Sequence, residues 1–84
     1  MTRLWRSEVS ITVEADALMV PHRLIWQGRP HRVETVAKRW RVDKQWWLLR
    51  IWREYFKLAT DTGYLVVVYR DLQTGHWYLQ RWYD

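Results

Sequence analysis

The chain has 84 residues, room for one domain (1–84) that buries roughly 60–65% of its unfolded surface. It has no cysteine and no apolar run near the ~18 residues of a membrane span, which excludes disulfides, thiolate metal sites and a spanning segment. Its net charge of +5 is concentrated in residues 22–57, where ten Lys and Arg stand against three acids, so this segment either attracts phosphates or forms a solvated basic face.

The N-terminal residues predict strands rather than a targeting segment. They lack the apolar region of a signal peptide, which predicts a cytoplasmic protein. Apolar residues at every second position over 9–13 predict a first half-buried strand, and residues 18–27 predict a second. A tight turn at Gly28-Arg29 then leads into a third strand that starts near His31.

Complementary side chains predict the register of this first hairpin. With Trp26 opposite His31, Arg23 faces Glu34, an opposite-charge pair of the kind that supports strand pairing. The apolar positions then change parity within residues 34–38. This change predicts a β-bulge, a common way to curl a small sheet.

The segment 43–52, DKQWWLLRIW, contains neither Gly nor Pro, and its apolar residues fall at helical spacing. It therefore predicts a helical turn or a packed loop between the two halves of the chain. Counting the strands on both sides, we expect an all-β domain of about six strands built from hairpins. It would be a small, strongly bent antiparallel sheet or a partly open barrel.

The C-terminal half predicts a three-stranded meander with turns at 61–63 and 71–75, each ending in a glycine. The resulting pairing lines up Tyr55, Tyr69 and Tyr78 across one face of the three strands. The opposite face gathers the predicted core: Phe56, Leu58, Val66, Val68 and Leu79.

The sequence contains no residue pattern that predicts an enzyme active site. In the predicted hairpin His22 and His31 lie four positions apart, roughly 13 Å, too far to share a metal. Asp71 and His76 flank a turn, where Asp usually bonds its own backbone. No nucleophile triad and no phosphate-binding glycine loop is present, so we expect a non-enzymatic protein without metal or cofactor.

Three aromatic segments, RWRVDKQWW, REYFKLATDTGY and VYRDLQTGHWYLQRWYD, follow one another in the C-terminal half. Together with WQGRPHRV before them, they resemble a bacterial family of uncharacterised small domains, which often occur alone in actinobacteria and thermophiles. A similar segment ends ImuB-type homologues of Y-family DNA polymerases. The resemblance covers the chain from about Arg39 onward, together with the WQGRPHRV segment in the preceding hairpin, and implies an accessory role in DNA repair or translesion synthesis.

The first functional hypothesis is binding of nucleic acid, with single-stranded DNA favoured. Aromatic rings stack on bases while Lys and Arg contact phosphates, and a tyrosine face with basic neighbours offers both. The alternative for the tyrosines is packing beneath the N-terminal strands. The residues predicted to bind are Arg39, Arg41, Lys44, Arg50, Arg53, Tyr55, Lys57, Tyr69 and Tyr78.

The second hypothesis is a protein-interaction or self-association module that binds a protein partner or forms a homodimer. Trp46, Trp47 and Trp52 lie in one short segment, and tryptophan is enriched among the residues that dominate protein interfaces. The alternative is that Trp46 and Trp47 close one end of the barrel. Neither hypothesis involves a membrane.

Overall fold

A computed structural model describes the backbone of residues 2–83 and the side chains of 9–45 and 47–83. Every regular element in this part of the chain is a β-strand, and no helix there is long and apolar enough to cross a membrane. The strands are β1 (Thr2–Ser10), β2 (Thr12–Ala15), β3 (Pro21–Trp26), β4 (Arg29–Trp46), β5 (Leu49–Thr60), β6 (Leu65–Asp71) and β7 (Trp77–Tyr83).

The strands form one antiparallel sheet in the order β1-β7-β6-β5-β4-β3-β2. Because β1 and β2 are joined through Ile11, the sheet begins and ends on the same stretch of chain and curls into a half-barrel. The Ile11 amide donates to the Trp77 carbonyl at 3.3 Å, and its side chain enters the core. This confirms the predicted all-β, strongly bent sheet. The number of strands is seven rather than about six because the first predicted strand is divided at Ile11.

The C-terminal meander has the predicted register. Phe56 pairs with Val68 and Leu58 with Val66, and Val68 in turn pairs with Leu79 on β7. All five predicted core residues are buried, and they pack with Ile11, Leu24 and Trp82 on the inner face of the curl. Alternation along the strands therefore divides the protein into an inner face, which carries this core, and an outer face.

The first hairpin differs from the prediction by two residues. Trp26 pairs with Arg29 rather than His31, because the turn is Gln27-Gly28. Both turn residues have positive φ, 52° and 76°, as a two-residue type I′ turn requires.

Side chains near this hairpin change partners with the register. Arg23 lies opposite Arg32 rather than Glu34, and its guanidinium instead pairs with Glu14 on β2 at 3.6 Å. The predicted bulge within residues 34–38 is confirmed by register shifts between Val33 and Thr35 and again before Lys38.

The prediction of a helical turn or loop at 43–52 is wrong. These residues continue β4 and begin β5, paired from Asp43 opposite Trp52 to Trp46 opposite Leu49 around a two-residue turn. The pairing of β5 with β6 begins only at Arg53, so 43–52 form a two-stranded extension of the sheet, here called the hairpin arm. Continued strand pairing outweighs the helical spacing because so short a helix is unstable alone.

Candidate functional site

Strand alternation divides the nine predicted nucleic-acid-binding residues between the two faces of the sheet. Arg41 pairs with Glu54 and Arg39 with Phe56, which is a core residue, so these arginines belong to the inner face with Arg50. The other six belong to the outer face: Lys44, Arg53, Tyr55, Lys57, Tyr69 and Tyr78. The structure therefore does not bring all nine together on one surface.

Two of the inner arginines share a buried carboxylate. Glu54 accepts a hydrogen bond from the Nη2 of Arg39 and another from the Nη2 of Arg41, each at 3.1 Å. Burial raises the pKa of Glu54, but the hydrogen bonds and charges of the two arginines outweigh it and hold that pKa below its ordinary value. Arg39 also lies over the Phe56 ring at 5.2 Å. The two arginines thus share one carboxylate, and their side chains are 44% and 58% exposed.

Arg50 is likewise engaged within the hairpin arm. Its Nη2 lies 3.3 Å from a carboxylate oxygen of Asp43, and its guanidinium stacks 4.6 Å above the Trp52 ring. Each of the three predicted phosphate-binding arginines on the inner face thus pairs with a neighbouring acid, and Arg39 and Arg41 share one carboxylate.

A row of four rings crosses the outer face. Trp40, Tyr55, Tyr69 and Tyr78 lie on β4, β5, β6 and β7, with successive ring centroids 5.2, 5.2 and 5.3 Å apart. The predicted alignment of the three tyrosines is therefore present, and Trp40 extends it. Tyr55 and Tyr69 are only 8% and 5% exposed, so the accessible ring surface lies at the ends of the row.

Beside this row lies a groove of about 290 Å³, here called the outer groove. Its lining combines three basic side chains with two rings and a floor of smaller groups: Lys38, Lys57, Arg81, Trp40, Tyr83, Val67 and Gln80. A groove of this composition offers ring faces and positive charge to the same ligand.

Each basic side chain of the outer groove lies near a ring. Lys38 Nζ is 5.1 Å from the Trp40 ring, and Lys57 Nζ is 5.8 Å from the Tyr83 ring. Arg81 Nη1 donates to the Tyr83 hydroxyl at 2.8 Å. Among the described residues, none of the three cations has a carboxylate partner.

Lys38 and Lys57 are also directly opposite each other in the β4–β5 pairing. Like charges facing each other across an antiparallel pair destabilise the sheet. The protein thus carries an unfavourable pair of positive charges at the rim of the groove, where an anion would relieve it.

Arg53 and Lys44 extend the positive outer surface toward the hairpin arm. Arg53 lies 4.4 Å over the Tyr69 ring, and its Nη1 donates to the Tyr55 hydroxyl at 3.3 Å. Lys44 is exposed on the outer side of the arm.

Sequence reasoning missed the outer groove because two of its members depend on strand irregularities. Strict alternation along β7 predicts Arg81 on the core face beside Leu79. A bulge between Val67 and Val68 leaves Gln80 unpaired and turns Arg81 outward. Lys38 likewise reaches the outer face only after the bulge that precedes it. Neither bulge position carries a glycine that could have identified it.

The three tryptophans predicted to bind a protein occupy different environments. Trp47 lies in the turn of the hairpin arm and is 85% exposed. Trp52 is half-buried on the inner face beneath Arg50. The side chain of Trp46 lies outside the described residues.

A second groove, of about 610 Å³, lies beside the β3–β4 hairpin. Acids and bases line it together, and the charges are largely matched. Arg23 pairs with Glu14, and the Arg32 amide donates to an Asp61 carboxylate oxygen at 3.1 Å. Arg32 lies opposite Arg23 in the β3–β4 pairing, and this groove differs from the outer groove because two carboxylates, Glu14 and Asp61, line it together with the two arginines.

Two of the residues considered for catalysis, His31 and Asp71, make contacts that stabilise the fold. His31 is buried against Trp82, and its Nδ1 is hydrogen-bonded to the Thr62 hydroxyl at 2.7 Å. Asp71 accepts a hydrogen bond from the Gln73 amide at 2.9 Å within its turn. In the described part of the chain, no group of three or more His, Cys, Asp or Glu side chains is placed to hold a metal ion.

Comparison with models of protein families, with curated proteins and with solved structures finds no match to this chain.

Proposed function

We propose that this protein is a non-enzymatic module that binds single-stranded nucleic acid, with DNA favoured, in the outer groove. Lys38, Lys57 and Arg81 contact phosphates, and the rings of Trp40 and Tyr83 stack on bases. The observation that carries the proposal is the contrast in compensation. The inner arginines each pair with a carboxylate, Arg39 and Arg41 with Glu54 and Arg50 with Asp43, whereas the groove cations have no carboxylate partner among the described residues.

The electrostatics of the groove support an anionic ligand. Lys38 and Lys57 face each other and repel, and Arg81 adds a third positive charge nearby. A phosphate between them replaces repulsion with charge-assisted hydrogen bonds, without breaking an existing ion pair. The hydrogen bond from Arg81 to the Tyr83 hydroxyl also restricts that side chain before binding, which lowers the entropy lost on association.

The aromatic row has a supporting part in this proposal. Tyr55 and Tyr69 are covered, so they hold Trp40 in place through stacking rather than receive bases themselves. Tyr78, at the other end of the row, is half-buried and offers a further ring edge. Arg53 and Lys44 add positive potential along the same face.

The choice of DNA follows from the resemblance of the segments after Arg39 to the C-terminal segment of ImuB-type homologues. That resemblance implies an accessory role in DNA repair or translesion synthesis. A small non-enzymatic module that holds an exposed single strand fits such a role.

The test is the affinity of the purified protein for a labelled single strand of about 12 nucleotides, from about 50 to 200 mM salt. Three phosphate contacts predict a slope of about −2 in log affinity against log salt. The combined variant Lys38→Gln, Lys57→Gln, Arg81→Gln should lower the affinity at least about tenfold and flatten the slope.

The matched control removes the same charge elsewhere. Arg23, Arg29 and Arg32 are exposed on the β3–β4 hairpin, and changing all three to Gln also lowers the net charge by three. It should weaken binding far less than the groove variant. Equal loss in both variants would mean a diffuse charge effect, and no binding at low salt by folded protein would refute the proposal.

A further inference from the structure

The turn of the hairpin arm exposes three large apolar side chains. Trp47 is 85% exposed, Leu48 is fully exposed, and Leu49, which begins β5, is 60% exposed. Trp47 also has a φ of 58°, in the left-handed region that favours glycine. Neither packing nor turn geometry therefore accounts for a tryptophan here, and strained residues of this kind often serve function.

The outer face of β4 connects the outer groove to this turn. Alternate residues along the strand place Lys38, Trp40 and Lys44 on the outer side in succession. Trp47 lies seven residues beyond Trp40, about 23 Å at the rise of a strand. At about 3.4 Å per stacked nucleotide, that distance is spanned by about seven nucleotides. A strand held in the groove can thus extend along basic side chains to the exposed turn.

The size of the apolar turn decides between possible occupants. A stable protein interface buries about 800 Å² on each partner, whereas one tryptophan buries at most about 250 Å². Two leucines beside it do not make up the difference, so a dimer formed through this turn alone would be weak. A single ring at the end of a narrow arm instead matches the face of one base or base pair.

We infer that the hairpin arm is a wedge for DNA junctions: Trp47 stacks on the terminal base pair of a duplex whose single-stranded extension lies in the outer groove. Leu48 and Leu49 cover the edge of that pair, and Lys44 faces the phosphates of the strand that leaves it. The inference rests on the proposed function, since it needs a strand in the groove. The ligand class is a junction between single-stranded and duplex DNA.

The test compares two DNA ligands that share the same single-stranded segment, one free and one joined to a duplex. The junction should bind about tenfold more tightly, since stacking of one base on an aromatic ring has about that effect. Trp47→Gly suits the positive φ of the turn and should remove this preference, because it lowers the affinity for the junction more than the affinity for the single strand. Trp47→Phe should retain part of it.

The control is Leu18→Ala, which removes an exposed apolar side chain (77% exposed) from the loop between β2 and β3. It should leave both affinities unchanged. As a second readout, 2-aminopurine in the terminal base pair should change its emission on binding of the unaltered protein and not of Trp47→Gly.

Different failures point to different errors. Equal affinity for the two ligands overturns the wedge and leaves the groove proposal standing. Absence of binding to either ligand overturns both. Sedimentation that shows a dimer abolished by Trp47→Gly, without any junction preference, would assign the turn to protein association and overturn the wedge.

Discussion

The inner and outer faces of the β4–β5 pair use the same residue types in opposite ways. On the inner face Arg39 and Arg41 surround the buried carboxylate of Glu54. On the outer face Lys38 and Lys57 oppose each other with no carboxylate between them among the described residues. The positive charge of a segment therefore says little about binding until each charge is assigned to a face and to a partner. Cations paired with a carboxylate stabilise the sheet, and exposed cations without one are the candidates for binding an anionic ligand.

The largest effect should come from the inner face. Phe56 is fully buried, and Phe56→Ala leaves a cavity in the centre of the curl, so we expect a loss of about 3–5 kcal/mol in the free energy of unfolding. Urea denaturation measures it. A loss below about 1 kcal/mol would contradict the assignment of this face as the core.

The next effect tests the compensated charges. Glu54→Gln leaves Arg39 and Arg41 without their carboxylate, and we expect a loss of about 1–3 kcal/mol, reduced because both arginines are about half exposed. The matched control is Asp43→Asn, which breaks the exposed pair with Arg50 and should change stability by less than about 0.5 kcal/mol. Equal effects would mean that burial of Glu54 is unimportant.

The same carboxylate predicts a pH dependence. Because the pKa of Glu54 is lower in the folded than in the unfolded protein, its contribution is fully present above the unfolded pKa. It is lost as the pH falls through the folded pKa. The charged groups that face Glu54 are Arg39 and Arg41 on β4 and Arg70, opposite on β6. Unfolding free energies measured downward from about pH 5 should therefore fall less steeply in Glu54→Gln than in the unaltered protein.

How much of the fold the sequence predicts depends on its turns. In the meander, glycines at 63 and 75 take positive φ where the sequence places them, so the register and core parity follow by counting. The register of the first hairpin cannot be predicted by counting residues from a glycine turn. Its turn begins at Gln27, a residue type that does not indicate a positive φ but takes one here. In the hairpin arm the turn residue of positive φ is Trp47, and helical spacing there predicts the wrong element.

The site is less predictable than the fold for a related reason. The row of tyrosines follows from two short hairpins, each with a turn signal. Trp40 and Lys38 join the outer face only through the β4–β5 register, whose turn lacks a glycine, and Arg81 joins it through a bulge. A surface that is assembled across bulged strands cannot be located from the sequence alone, even when each residue type in it has been noted there.

A smaller effect tests the strained turn of the hairpin arm. Trp47→Gly relieves a left-handed φ at an exposed position, so we expect a gain of about 0.5–1 kcal/mol in the free energy of unfolding. Thermal denaturation measures it, with Leu48→Gly as the control, because Leu48 does not have positive φ and glycine there should not stabilise. A gain would show that Trp47 makes this turn less stable than glycine does, and no gain would contradict the strain inferred from its φ.

The smallest expected change in stability, that of Lys57→Gln, best distinguishes the roles of the inner and outer faces. Lys57 lies opposite Lys38, so Lys57→Gln should relieve repulsion and raise the free energy of unfolding by about 0.2–0.5 kcal/mol without DNA. The same change should weaken binding of the single strand. Lys57→Arg, which keeps the charge, should show neither effect, and added salt should shrink the gain in stability because it screens exposed charges.

A side chain that contributed only to stability would behave in the opposite way, since its loss would destabilise the fold. Stability and affinity moving in opposite directions at one residue would distinguish the outer groove from the inner face, where Arg39 and Arg41 pair with Glu54.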